Sequence, residues 1–240
     1  GSGADNVSIT DAATSNSSTI KLGAGNDKLK LLNTGTVATY IFGEAGDDTI
    51  LIADSTTAIG ANDLIDGGAG TDTLVVAESA ANTFVLRGVE NILLTNTAVA
   101  ANTINSSGTA LAITAQVGSG ASHTAVNLAT LTAGSTVTTQ AATAAYGTAA
   151  TTGQAAAVTV GFNSTEATST INLATGYTGL LTLAKITNAT VTVGAASSTA
   201  ANIVLTNTTT DLTVNATGAF TTGAAGDITG NTLKNLTVTG

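Results

Sequence analysis

Gly67-Gly-Ala-Gly-Thr-Asp-Thr-Leu74 decides the reading of this 240-residue chain. Its glycines let the backbone turn tightly and expose carbonyls inward. Asp72 adds a hard anionic oxygen, and Leu74 then enters a short strand with its side chain buried. The same step occurs upstream as Gly1-Ser-Gly-Ala-Asp-Asn-Val7, Gly23-Ala-Gly-Asn-Asp-Lys-Leu29 and Gly43-Glu-Ala-Gly-Asp-Asp-Thr-Ile50. The aligned acids are Asp5, Asp27, Asp48 and Asp72, and the apolar residues two places on are Val7, Leu29, Ile50 and Leu74. A degenerate fifth copy, Gly60-Ala-Asn-Asp-Leu-Ile-Asp66, carries Asp63. Departures are local: the first copy lacks its leading glycine, Leu22 stands at the first glycine position of the second, and Glu44 at the second position of the third.

These segments resemble the nonapeptide G-G-x-G-x-D-x-U-x, with U a large apolar residue, of the RTX calcium-binding repeat. The resemblance implies a parallel β-roll in which Ca²⁺ sits between neighbouring turns. Carried onto this chain, the metal-site residues are Gly3, Asp5, Gly23, Gly25, Asp27, Gly43, Gly46, Asp48, Asp63, Gly67, Gly70 and Asp72. The copies recur every 21–24 residues, so each coil is expected to hold one motif-bearing turn and one looser turn, such as Asp11–Ser18 or Asn33–Thr39. Asp63 and Asp72 fall on opposite edges of one coil. With coils about 4.8 Å apart, aligned carboxylates form a ladder of like charges. A bridging cation converts that repulsion into an ordering force, and folding is expected to depend on it.

Charge is distributed accordingly. The net charge is −9 with only 9% charged residues. Twelve of the 15 acids lie within residues 1–90, with four of the six basic residues. The concentration suggests a local task for the acids and argues against nucleic acid, which needs clustered Lys and Arg. Cys, Met, Pro and Trp are absent, which excludes disulfides, zinc ribbons and thiol nucleophiles. The apolar runs are far short of the roughly 20 residues that span a bilayer, so membrane insertion is not expected.

Beyond Val85-Leu-Arg-Gly-Val-Glu-Asn-Ile-Leu-Leu-Thr95, short alternating segments recur. They are read as strands at Ile92–Leu94, Asn102–Ile104, Leu111–Ile113, Val126–Leu128, Thr136–Thr138, Val158–Val160, Ile171–Leu173, Leu181–Leu183, Val191–Val193, Ile203–Leu205, Leu212–Val214 and Leu236–Val238. The period of two and the Gly, Asn and Ser between them indicate an all-β protein. Residues 1–84 are expected to form an RTX-like β-roll. Residues 85–240 either continue the same rod as a parallel β-solenoid, of about ten or eleven coils in all, or form a separate β-sandwich. The hairpin dipeptide Asn-Gly is absent and the coil length matches the first third, which favours the solenoid. Gln140–Ala157 reads as a protruding loop.

Catalysis finds no foothold. His123 is the only histidine, in a turn-like segment, and paired carboxylates occur only in the repeats. Repeats of this kind beside a Thr-, Ala- and Gly-rich, Cys-free β sequence look like bacterial surface-layer (S-layer) proteins that leave the cell by type I secretion. That resemblance implies a non-enzymatic structural protein, secreted to the cell surface. It would self-assemble as a homo-oligomeric lattice or filament through calcium-dependent contacts, with a cell-surface polysaccharide bound through regions outside this chain. The alternative is a repeat segment of a secreted calcium-dependent adhesin, ice- or glycan-binding; a secreted enzyme carrying an RTX tail is disfavoured. The chain begins inside a motif and ends inside a strand pattern, and is expected to be a fragment of a longer protein.

Overall fold

The computed structural model describes residues 1–10, 17–32, 38–53, 62–77, 83–95, 101–106, 108–117, 125–141, 157–163, 167–173, 179–194, 202–206, 208–216 and 228–240. Among them there is no helix, and the strands form two parallel sheets. One sheet holds the eleven odd-numbered strands: β1 (Asn6–Ile9), β3 (Lys28–Leu31), β5 (Thr49–Ala53), β7 (Thr73–Ala77), β9 (Asn91–Leu94), β11 (Ala112–Val117), β13 (Thr136–Ala141), β15 (Ala167–Leu173), β17 (Ile186–Val193), β19 (Asp211–Ala216) and β21 (Asn235–Thr239). The other holds the ten even-numbered strands: β2 (Ser18–Ala24), β4 (Thr39–Ala45), β6 (Leu64–Asp66), β8 (Thr83–Arg87), β10 (Ala101–Asn105), β12 (Ala125–Leu131), β14 (Ala157–Phe162), β16 (Leu180–Ala184), β18 (Asn202–Leu205) and β20 (Ile228–Thr229). Each coil gives one strand to each sheet and pairs with the coils before and after it. The molecule is a β-solenoid.

The apolar residue of each repeat sets the register. Val7, Leu29, Ile50 and Leu74 stack in one file that runs on through Ile92, Ile113, Val137, Ile171, Val191, Val214 and Val238. From Leu29 to Val214 every member is buried to within 1%. β-Branched and leucyl side chains suit this because each packs on an identical backbone one coil away, and full burial of each contributes about 1.5–3 kcal/mol. Phe84, Leu86, Val158, Val160, Leu181 and Leu183 line the facing sheet. One apolar column fills the space between the sheets. The sheets cross residue 84 without a break, since β8 spans it and β7 pairs with β9.

Most of the expected strands lie inside observed ones, with differences at their ends. Leu111 precedes its strand, which starts at Ala112, and β17 begins earlier than Val191, at Ile186. β20 has two residues, too short to show alternation, and was not expected. Of the expected Gln140–Ala157 loop, Gln140 and Ala141 extend β13 and Ala157 begins β14, while 142–156 lie outside the described residues, as does His123. Ser18 and Thr39, placed in looser turns, begin β2 and β4; residues 11–16 and 33–37 lie outside the described residues.

Candidate metal centre

Asp5, Asp27, Asp48 and Asp72 each stand one residue before a strand of the odd-numbered sheet, so the strand register places them in a file along one edge. They are linked coil to coil. The backbone N–H of Asp5 donates to Asp27 Oδ1 (2.7 Å), that of Asp27 to Asp48 Oδ1 (2.8 Å), and that of Asp48 to Asp72 Oδ1 (2.8 Å). The file closes where the N–H of Asp72 donates to Glu90 Oε2 (2.9 Å). The carbonyl of each aspartate accepts the N–H of the residue after its neighbour, as in Thr49 to Asp27 (2.9 Å) and Thr73 to Asp48 (2.9 Å). Each carboxylate therefore satisfies an amide that the ladder leaves over as the chain turns into the strand.

The second oxygen of each inner carboxylate is different. Asp27, Asp48 and Asp72 are each 1% exposed, and their Oδ2 atoms are buried without a hydrogen-bond partner. Burial, partly offset by the N–H from Asp27 and reinforced by the charges of Asp27 and Asp47, raises the Asp48 carboxyl above its ordinary range. Burial likewise pushes Asp72 up to about 6, opposed by the N–H of Asp48 and aided by the charges of Asp48, Glu90 and Asp47. Asp5, at the end of the file, is half-exposed and pairs with the N-terminal ammonium at 3.4 Å.

The glycines explain where those oxygens point. A Cβ at Gly43 would clash with Asp48 Oδ2 and the Gly67 carbonyl oxygen. One at Gly67 would clash in the same way with the Asp72 side chain, whose Oδ2 lies 2.6 Å from it, and with the Gly88 carbonyl oxygen. In both coils a carboxylate oxygen and a main-chain oxygen of the next coil pack so closely on the glycine that no side chain fits. The third glycine of each repeat is held by the coil below: Gly46 has φ 132°, and a Cβ there would strike the Gly25 carbonyl. Gly70 stands over Gly46 in the same way, and Gly25 over Gly3.

Of the five predicted aspartates, four share one file and Asp63 does not. Asp63 lies on the other edge, where its Oδ1 accepts the N–H of Thr39 at 2.7 Å as β4 begins. Among the described residues no three or more His, Cys, Asp or Glu side chains converge on a point. Cations here would lie along the file rather than at one point, each near the Oδ2 atom of Asp27, Asp48 or Asp72 and main-chain oxygens such as those of Gly67 and Gly88. Hard oxygen donors of this kind, buried, anionic and unpartnered, fit Ca²⁺.

Three participants were not singled out from sequence. Glu90 closes the file, and its signal is its place two residues before Ile92, the spacing of Asp72 to Leu74. Asn26 and Asp47 build a second, exposed file: the N–H of Asp47 donates to Asn26 Oδ1 (2.9 Å) and that of Thr71 to Asp47 Oδ1 (2.8 Å). Their signal is the Asn-Asp and Asp-Asp dipeptides. Further along the edge Ser135, buried, takes the aspartate's place, accepting the N–H of Leu111 on Oγ at 3.0 Å.

Comparison of the chain with protein-family models, with curated proteins and with solved structures gives no match.

Proposed function

We propose that this chain is a structural protein, a calcium-stabilised β-solenoid that self-assembles into an extracellular lattice of a bacterial surface layer. The observation that carries the reading is the file of buried aspartates whose Oδ2 atoms lack a partner. Ser135 performs the same amide cap with a neutral hydroxyl, so the cap alone does not require an anion. Three charges buried one coil apart are costly unless something compensates them. Bound Ca²⁺ would supply that compensating charge. Asp27, Asp48 and Asp72 would each offer an Oδ2 atom to ions placed along the file, the glycines would let main-chain oxygens approach those atoms, and the Oδ1 bonds would keep each carboxylate fixed across the coil interface.

A fold that needs extracellular calcium suits a protein exported unfolded through a calcium-poor cytosol, because ligand binding and folding are then one equilibrium. The acid-poor coils from Leu111 onward supply the neutral surface through which copies would meet. Calcium titrated into chelated protein, with circular dichroism and particle size followed together, tests the reading. The expected result is a gain of β signal followed by growth into sheets or filaments that chelator dissolves. Folding without growth would mark a monomeric adhesin segment instead. Absence of both responses would remove the calcium reading itself.

A further inference from the structure

The outward surface of the even-numbered sheet carries a cavity that the calcium reading does not use. It has a volume of about 410 Å³ and spans β8, β10, β12 and the end of β14. Thr83, Thr103, Asn105, Thr130 and Asn163 supply hydroxyls and amides, with Val85 beside them. Thr83 stacks on Thr103, and Val85 on Asn105, in the strand register. A β-bulge makes the far wall: between Leu128 and Leu131 the register of β12 on β14 shifts. Thr130, within the bulge, has φ 62°, a left-handed conformation that is strained for a β-branched residue. Its hydroxyl lies 2.8 Å from the Ile104 carbonyl, which ties it across to the neighbouring coil. Bulges and strained residues of this kind gather where a fold re-aims a side chain toward a ligand.

The lining selects the ligand class. Among the described residues it contains no Lys, Arg, Asp or Glu. An anion would find no counter-charge there, on a chain of net charge −9, and a cation would find no carboxylate. A purely apolar ligand would cover Thr83, Thr103 and Asn163 without pairing their polar groups, at a cost of roughly 1–3 kcal/mol each. A neutral molecule rich in hydroxyls satisfies every condition, and the volume falls within the range of small-ligand sites. On the same face, Tyr40 in β4 pairs with Leu64 in β6, two coils or about 10 Å from β8. Phe42 already carries the Lys21 ammonium 5.9 Å over its ring. Among the described residues Tyr40 is therefore the ring available to stack on a sugar that extends from the cavity along the rod.

We propose that this cavity binds a neutral glycan, with Thr103 and Asn163 hydrogen-bonding one sugar and Tyr40 stacking on a later one. The test uses the whole chain in calcium-saturated buffer. Neutral trisaccharides built from glucose, mannose, galactose or N-acetylglucosamine are titrated by calorimetry beside a sulfated trisaccharide. At least one neutral trisaccharide should bind saturably and the sulfated one should not. Thr103→Val and Asn163→Ala should each weaken binding about tenfold, and Tyr40→Ala should weaken a trisaccharide more than the monosaccharide. Thr213→Val, on the other sheet, should change nothing. Asn163 is exposed and lies outside the strands, so its variant keeps the test valid if Thr103→Val disturbs the sheet. No saturable binding by any neutral sugar, preference for the sulfated one, or binding unchanged in both cavity variants would overturn the proposal.

Discussion

The coils before Glu90 and those after it solve one problem with different chemistry. Where the chain turns into β1, β3, β5, β7 and β11, one amide finds a side-chain acceptor across the coil interface. In the first region Asp27, Asp48 and Asp72 provide it. Later, Ser135 provides it for Leu111 with a hydroxyl. The apolar file two residues on is continuous through both, so neither packing nor register explains the change. The neutral solution shows that the acidic one exceeds what the cap needs. The excess, one buried and unpartnered oxygen per coil, is what a cation would use.

Glycine substitutions separate the regions most strongly. Gly46→Ala meets both the left-handed φ of 132° and the Gly25 carbonyl, and is expected to cost roughly 3–5 kcal/mol. Gly134→Ala has φ 84° but ordinary contact with Ala110 at 3.5 Å, and should cost about 1 kcal/mol. Urea unfolding of the two variants checks the gap, and equal costs would mean the acidic turns are no tighter than the neutral ones.

The caps come next. Asp48→Ala strands the Asp27 amide and Ser135→Ala the Leu111 amide, at about 1–3 kcal/mol each. Only the first should also reduce the rise in melting temperature that calcium produces. Asp48→Asn is sharper, because its amide oxygen keeps the cap while the charge is removed. In chelator it should stabilise the protein by on the order of 1–2 kcal/mol, and in calcium it should fall below the parent. The same sign in both conditions would contradict a role for the charge.

pH gives a smaller contrast. Asp72 titrates near 6 in the fold, above its ordinary value of 3.8. The folded state therefore holds the proton more tightly than the unfolded chain. The stability from this group is full below the ordinary value and is lost as pH rises through about 6. Without metal the melting temperature should be higher at pH 5 than at pH 7, and calcium should close the difference. The smallest effect is expected at Glu44, which holds φ 78° where Gly23 stands in the neighbouring coil. Glu44→Gly should stabilise by about 1 kcal/mol, less a little for an exposed pair with Lys21 at 3.8 Å.

Much of this arrangement was legible because the repeat fixes its own register. Leu22 and Glu44 were placed at glycine positions from spelling alone. In the structure Glu44 pairs with Gly23, and the carbonyl of Gly67 lies over Gly43. Val-Thr-Val and Leu-Thr-Leu segments were legible as strands because one face is buried at every second residue. The register among the later coils was not legible. Thr136, Thr170, Thr190, Thr213 and Thr237 form one outward file, yet their sequence separations run from 20 to 34 residues. Coils of unequal length hide a regular stack from any fixed period. Glu90 and Ser135 escaped for a related reason: an amide cap needs only an acceptor at one position, and Asp, Glu and Ser all supply one. The bulge at Thr130 carries no glycine to announce its left-handed turn.

Amide hydrogen exchange on the chelated and the calcium-loaded protein tests the central claim most directly. The N–H groups of Asp5, Asp27 and Asp48 report the acidic file, and that of Leu111 reports its neutral counterpart. Calcium should slow exchange at the three aspartates by orders of magnitude, half-maximally at about 10⁻⁴–10⁻³ M, the range of extracellular calcium modules, with a weaker response at Leu111. Equal protection of the aspartate amides with and without calcium would contradict the account.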